Sequence, residues 1–135
     1  MTPFTYLWVG LGGALGSMAR LGLGALVSHS FGDGFPLGTL LINILGSFVI
    51  TFFSTLALDQ GWLRQTPLNA RAFVTTGICG GFTTFSSFSL QTLALARSGE
   101  VTAAAVYVGL SVVLCLLAAW LGIAAGAALN AMMKA

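Results

Sequence analysis

The sequence predicts an all-α membrane protein with four transmembrane helices, the third of them broken. Three observations carry this. Only eight of 135 residues are charged, five basic and three acidic, while 57% are apolar. That composition belongs to a chain whose solvent is lipid. The charges fall at Arg20, Asp33, Asp59, Arg64, Arg71, Arg97, Glu100 and Lys134, and the intervals are long enough to cross a bilayer at about 1.5 Å per residue. Finally, Gly-Gly-Phe-Thr-Thr-Phe-Ser-Ser-Phe-Ser, residues 80–89, lies inside an uncharged run from Ala72 to Ala96. Hydroxyls and paired glycines at membrane depth imply groups that face a polar cavity, since hydrocarbon cannot satisfy them.

The spans are predicted at about 4–28, 36–57, 70–97 and 101–129. The first is rich in glycine. Gly12 and Gly16 form a small-xxx-small pair with Gly10 and Gly13 beside them, and Gly122 with Gly126 repeats the spacing in the fourth, so these helices can approach closely. In the third, Phe82, Phe85 and Phe88 recur every three residues, which suits a helix or tight helical turn and excludes strand alternation. The connections at 28–35, 58–69 and Ser98-Gly99 leave no room for a soluble domain, so residues 1–135 are read as a single four-span domain. The N-terminal residues carry no basic region ahead of the first span, and no cleavable leader is predicted. Cys79 and Cys115 are read as small buried thiols without a redox role, and His29 as a loop residue without function.

Orientation is weakly marked. Arg64, Arg71 and Lys134 fall on one side, against Arg97 and, counted generously, Arg20 on the other. Such a chain can insert both ways, giving an antiparallel pair, or hold one orientation on a small bias. The charge count leaves both open.

Four features inside the spans bear chemistry. Arg20 either snorkels to the interface and anchors its helix or concentrates an anion at a pore mouth, with anchoring its first role; being permanently charged, it is no titrating carrier. Asn43 needs a partner for its amide, through an interhelical bond or a permeating anion, and spacing does not choose. Tyr107, Ser111 and Cys115 stand at i, i+4 and i+8 on one helix face, flanking a wet path or bonding to backbone and neighbours. Phe85 and Phe88 alternate with hydroxyls, and aromatic ring edges carry the positive rim of the quadrupole. Each ring alone is ordinary packing; the interleaving favours a lining. Asp33, Asp59 and Glu100 all sit at span ends, so the interior has donors and no carboxylate, which suits an anion and removes the acid that proton-coupled cation exporters use at mid-membrane.

Taken together, the Arg-bearing first span, Gly-Thr-Leu-Leu-Ile-Asn, and Thr-Gly-Ile-Cys-Gly-Gly-Phe-Thr-Thr-Phe-Ser-Ser-Phe-Ser resemble the CrcB/Fluc fluoride channel family along essentially the whole chain. The resemblance implies a passive fluoride channel in a bacterial inner membrane, built as an antiparallel dual-topology homodimer with two pores. It implies a fluoride pathway of Phe85 and Phe88, Ser86 and Ser87 of the same motif, Asn43, Tyr107, Ser111 and Arg20. It also implies a structural sodium ion at the dimer interface, held by the backbone oxygens of Gly80 and Thr83, where unwinding at the Gly-Gly pair frees carbonyls. Two departures stand out: Cys115 where Ser is expected, and Gln91 where the family pattern often has Glu. The competing readings are a small four-span multidrug-type exporter, which needs a mid-membrane carboxylate, and a non-transporting scaffold, in which the hydroxyls merely join helices. No ATP-binding loop and no catalytic grouping are read in the sequence, so no enzyme is expected.

Overall fold

A computed structural model of the chain describes residues 3–57 and 61–134; Asp59, read as marking a span end, lies outside the described residues. Those described are helical, with short turns between the helices. In order they are α1 (Pro3–Phe31), α2 (Leu37–Ala57), α3 (Leu68–Ala72), a π-helical stretch (Phe73–Cys79), α4 (Gly80–Phe82), α5 (Phe85–Arg97) and α6 (Val101–Met132). Three of them, α1, α2 and α6, are long and apolar enough to cross a membrane. The predicted third span is distributed over four consecutive pieces, from α3 to α5, none of which is a full crossing alone.

α2 and α6 form the most extensive pair. Gly122 and Gly126 let α6 sit directly on α2: a methyl group at Gly122 would meet the Phe48 carbonyl and the Thr51 hydroxyl, and one at Gly126 would meet Thr55. This is the close approach that small residues permit where lipid gives helices no hydrophobic reason to associate. Thr51 and Thr55 satisfy their hydroxyls on their own helix, donating to Ser47 O at 2.9 Å and Thr51 O at 2.8 Å. Asn130 ties the far end of the pair. Its Nδ2 donates to Thr55 O at 3.1 Å, and its Oδ1 accepts from the Trp62 backbone N–H at 2.8 Å.

α1 packs against the π-helical stretch and α4. Gly12 and Gly16 lie on the backbone of that segment, where a methyl at Gly12 would come 2.5 Å from Phe73 O and one at Gly16 would meet Ile78 O. The Trp8 ring meets Phe73 edge-on at 5.7 Å, and Thr5 donates to Asn69 Oδ1 at 2.7 Å. The flanking turns use glycine where the backbone requires it: Gly32 after α1 has φ +78° and Gly99 before α6 has φ +90°, a region L side chains disfavour.

Candidate functional site

The site forms where the third segment stops being helical. Gly80 and Gly81 are themselves helical, Gly80 having φ −65° and ψ −36°, and the extended residues are Thr83 (φ −76°, ψ 156°) and Thr84 (φ −151°, ψ 111°). The expectation that the chain unwinds at the Gly-Gly pair is therefore corrected by three residues. Glycine serves close approach here: a methyl at Gly81 would come 2.5 Å from Gly13 O. The threonines, β-branched and at ease in extended backbone, take the departure from the helix.

Asn43 on α2 holds that departure. Its Oδ1 accepts from Thr84 N–H at 2.8 Å and its Nδ2 donates to Thr84 O at 3.1 Å. In a continuous helix Thr84 N–H would close onto Gly80 O, four residues back. Asn43 takes that donor, which leaves the Gly80 carbonyl without its helical partner. The preceding turn closes one residue earlier, with both Thr83 N–H and Thr83 Oγ1 donating to Cys79 O, at 3.0 and 2.9 Å. Ser17 Oγ reaches Gly81 O at 3.4 Å. On the other side of the break, buried Thr84 is the N-cap of α5. Its Oγ1 accepts from Ser87 N–H at 3.1 Å, donates to Ser87 Oγ at 3.1 Å, and lies 3.1 Å from Ser86 Oγ. The cap satisfies one of the N–H groups that a helix start leaves orphaned.

The hydroxyl cassette thus divides by task. Thr83 and Ser89 bond back to their own turns, Ser89 donating to Phe85 O at 2.9 Å. Thr84, Ser86 and Ser87 form the cap. Phe82, read from sequence as one of a row of three rings, ends α4 and lies across the break from Phe85 and Phe88 on α5.

Beside the break lies a cleft of about 460 Å³ lined by Asn43, Thr83, Phe85, Phe88, Ser111 and Cys115, among others. No acidic residue lines it. Phe85 and Phe88 are 5.4 Å apart with planes tilted by 43°, and Phe88 stands 5.3 Å from Tyr107. Tyr107 is wholly buried; on its other flank Phe35 meets it edge-on at 5.6 Å, and its hydroxyl donates to Gln91 Oε1 at 3.1 Å. Ser111, one turn along α6, is 7% exposed, and its Oγ has no hydrogen-bond partner among the described residues. A buried hydroxyl left unpaired is costly; this one lies in the wall of a cleft where a polar guest would satisfy it.

A second cleft, of about 1,130 Å³, is lined by Arg20, Ser17, Thr84, Ser87, Gln91 and Glu100, among others. Thr84 lines both clefts, so the extended backbone is the wall between them. Among the described residues Arg20 makes no ion pair, and its charge stands over the larger cleft. The structure therefore gathers Asn43, Phe85, Phe88 and Ser111 around one cleft with Tyr107 behind them. It sets Arg20 and Ser87 in the other, and leaves Ser86 exposed at the cap. Phe35 was missed by sequence reasoning, being a loop phenylalanine with no pattern to mark it. Gln91 was noticed only as a departure; its place one turn beyond Ser87 was the available signal.

Apolar helices of crossing length around an acid-free cleft define a multi-pass membrane protein. The chain belongs to the CrcB family: the model of the CrcB-like protein, Camphor Resistance (CrcB), matches residues 7–123. It is 51% identical over 127 residues to the fluoride-specific ion channel FluC of Opitutus terrae, covering 94% of this chain and 96% of that protein. Against the FluC of Methylocella silvestris the identity is again 51% over 127 residues, with the same coverage. Against the FluC of Rhodospirillum rubrum it is 53% over 118 residues, covering 87% of this chain and 91% of that protein.

Proposed function

We propose that this chain is a fluoride-selective channel through which cytoplasmic fluoride leaves the cell passively. The observation that carries the reading is the acid-free cleft at the Thr83–Thr84 break, where aromatic rings and the orphaned Ser111 hydroxyl lie together in a chain about half identical to proteins named for fluoride. Fluoride is small and strongly hydrated, so a narrow path must offer donors and positive ring rims to replace its water. Its conjugate acid crosses lipid neutral and releases the ion in a near-neutral cytoplasm. The membrane potential then drives the anion outward, worth about 2.3 kcal/mol per charge per 100 mV. No enzymatic step is required.

The pathway residues in this reading are Asn43, Phe85, Phe88, Tyr107 and Ser111, with Arg20, Ser86 and Ser87 toward the mouth. Arg20 concentrates anions over the larger cleft. Asn43 acts chiefly by fixing the break, since Thr84 occupies its carbonyl oxygen and takes a hydrogen bond from its nitrogen. The assembly is an antiparallel dual-topology homodimer with two pores. Its support is the surface of α5: Phe85 is 78% exposed, and Leu90 and Leu93 are exposed with it, on an element whose ring system would otherwise face lipid with no second wall.

A structural sodium ion at the two-fold axis fits the same backbone. The Gly80 carbonyl has lost its regular helical donor, Thr84 N–H, to Asn43, and Ser87 N–H, the regular donor to Thr83 O, is taken by Thr84 Oγ1, so neither oxygen is held by the usual helical ladder and a hard cation suits both. Bound there, the ion would supply positive charge and would cross-link the subunits. Sodium replaced by a much larger monovalent cation should lower subunit affinity or fluoride flux at unchanged halide preference, and Gly80→Val should do so more than Thr83→Ala, because the ligands are carbonyls. Equal flux and equal dimer dissociation in both salts would remove the ion from the account.

The reading is tested by fluoride efflux from liposomes holding only this purified protein, with a permeant cation balancing charge. Fluoride should leave rapidly. Efflux equal to that of protein-free liposomes would contradict the proposal and favour a scaffold; efflux seen only with an opposing proton gradient would favour an exporter.

A further inference from the structure

The smaller cleft holds all of the chain's thiol chemistry. The chain has two cysteines, both free thiols. Cys79 ends the π-helical stretch and Cys115 lies on α6, yet both line the cleft of about 460 Å³ beside the break. They are not equally placed. Cys79 is 2% exposed, and a thiol enclosed in this way is inert. Cys115 is only half-buried. It stands one turn beyond Ser111 on the same face of α6, about 6 Å along the helix axis. The Ser111 hydroxyl is buried and has no hydrogen-bond partner among the described residues, so a guest held by the Cys115 sulfur would lie beside an oxygen still lacking a partner.

The donor set decides which guest. No carboxylate and no imidazole lines the cleft, and among the described residues no three His, Cys, Asp or Glu side chains stand together to hold a metal ion. A borderline ion such as zinc, which takes three or four protein ligands, finds no site here. Sulfur beside a hydroxyl suits a soft ion that is content with few ligands. We propose that Cys115 is a modification site for neutral complexes of soft, thiophilic metals, and that its occupation closes the fluoride path. The closure rests on the channel reading; the adduct does not. With mercuric chloride as the reagent, an Hg–S bond forms, one Hg–Cl bond breaks, and the thiol proton and a chloride ion leave to the buffer. The reagent is uncharged, so it enters lipid and is not repelled by Arg20. Mercury keeps its second chloride, and the adduct occupies volume in a cleft that Phe85, Phe88 and Ser111 also line.

The test treats liposomes holding the parent, Cys115→Ser, Cys115→Ala or Cys79→Ala with mercuric chloride. Fluoride efflux is read against protein-free liposomes carrying the same reagent, and the adduct is mapped by mass spectrometry of the intact chain and its peptides. The parent should lose flux by about tenfold or more, regain it with excess dithiothreitol, and carry mercury on Cys115. Cys79→Ala should respond as the parent does, whereas Cys115→Ser and Cys115→Ala should each keep their own untreated flux. Should neither Cys115 variant conduct, reversible closure of Cys79→Ala still assigns the site, since Cys115 is then the sole thiol left. An unmodified Cys115, an adduct there that leaves flux intact, or protection by Cys79→Ala would overturn the proposal. Absence of flux from the untreated parent would remove the channel reading and the closure with it, while the mapped adduct would still decide the site.

Discussion

Replacing Phe85 or Phe88 with isoleucine should reduce fluoride efflux by at least about a hundredfold while the dimer persists. Isoleucine keeps apolar bulk and removes the positive ring rim. The exchange leaves hydrophobic burial nearly intact, since Phe85 is 78% exposed in the single chain. What it removes is the only polar feature those side chains offer. An anion stripped of water in a cleft of low dielectric needs several partners at once, and the loss of a few kcal/mol of stabilisation is a factor of about a hundred or more in rate. The effect should be larger for Phe88, which is fixed between Phe85 at 5.4 Å and Tyr107 at 5.3 Å, than for Phe85. Efflux at the parental rate from both variants would assign the rings to packing.

Asn43→Leu should be the most damaging single change to the site's architecture. It leaves Thr84 N–H and Thr84 C=O without their partners, each worth about 1–3 kcal/mol when buried and unsatisfied. The chain can recover part of this by returning Thr84 N–H to Gly80 O, which closes the break as helix and turns Phe85 and Phe88 away from Ser111. Flux should fall at least about tenfold, with a lowered thermal midpoint. Asn43→Asp provides the contrast: it retains the acceptor for Thr84 N–H, so stability should suffer less, but it lines the cleft with a carboxylate and flux should fall comparably. If Asn43→Leu conducted within about twofold of the parent, the break would be set by local sequence and Asn43 would be dispensable.

Several helix ends were legible because charge is so scarce: Asp33, Arg97 and Glu100 stand at or beside helix ends in the structure, as their place between apolar runs suggests. The close contacts of Gly12, Gly16, Gly122 and Gly126 were legible from spacing, though their partners were not. The position of the break was not legible. Local propensity points to Gly80-Gly81, yet what decides is Asn43, 41 residues away, and no local rule ranks a distant amide against two glycines. The π-helical turn at Phe73–Cys79 had no sequence signal, nor had the contact between Phe35 and Tyr107. The row of Tyr107, Ser111 and Cys115 was correctly placed on one helix face, but only the fold separates Tyr107, which is bonded to Gln91, from Ser111, which has no partner among the described residues. The orphaned hydroxyl is the more informative of the two, and it takes a three-dimensional neighbourhood to see it.

Selectivity for fluoride through this cleft is the centre of the account, and the reversal potential of single dimers in a planar bilayer, with fluoride on one side and chloride on the other, tests it most directly. A path built from ring edges and the Ser111 hydroxyl, too narrow to pass a larger halide, predicts a current that reverses only at a large potential of the sign set by fluoride leaving its own side. Reversal near zero, as for a pore that passes both halides alike, would contradict it.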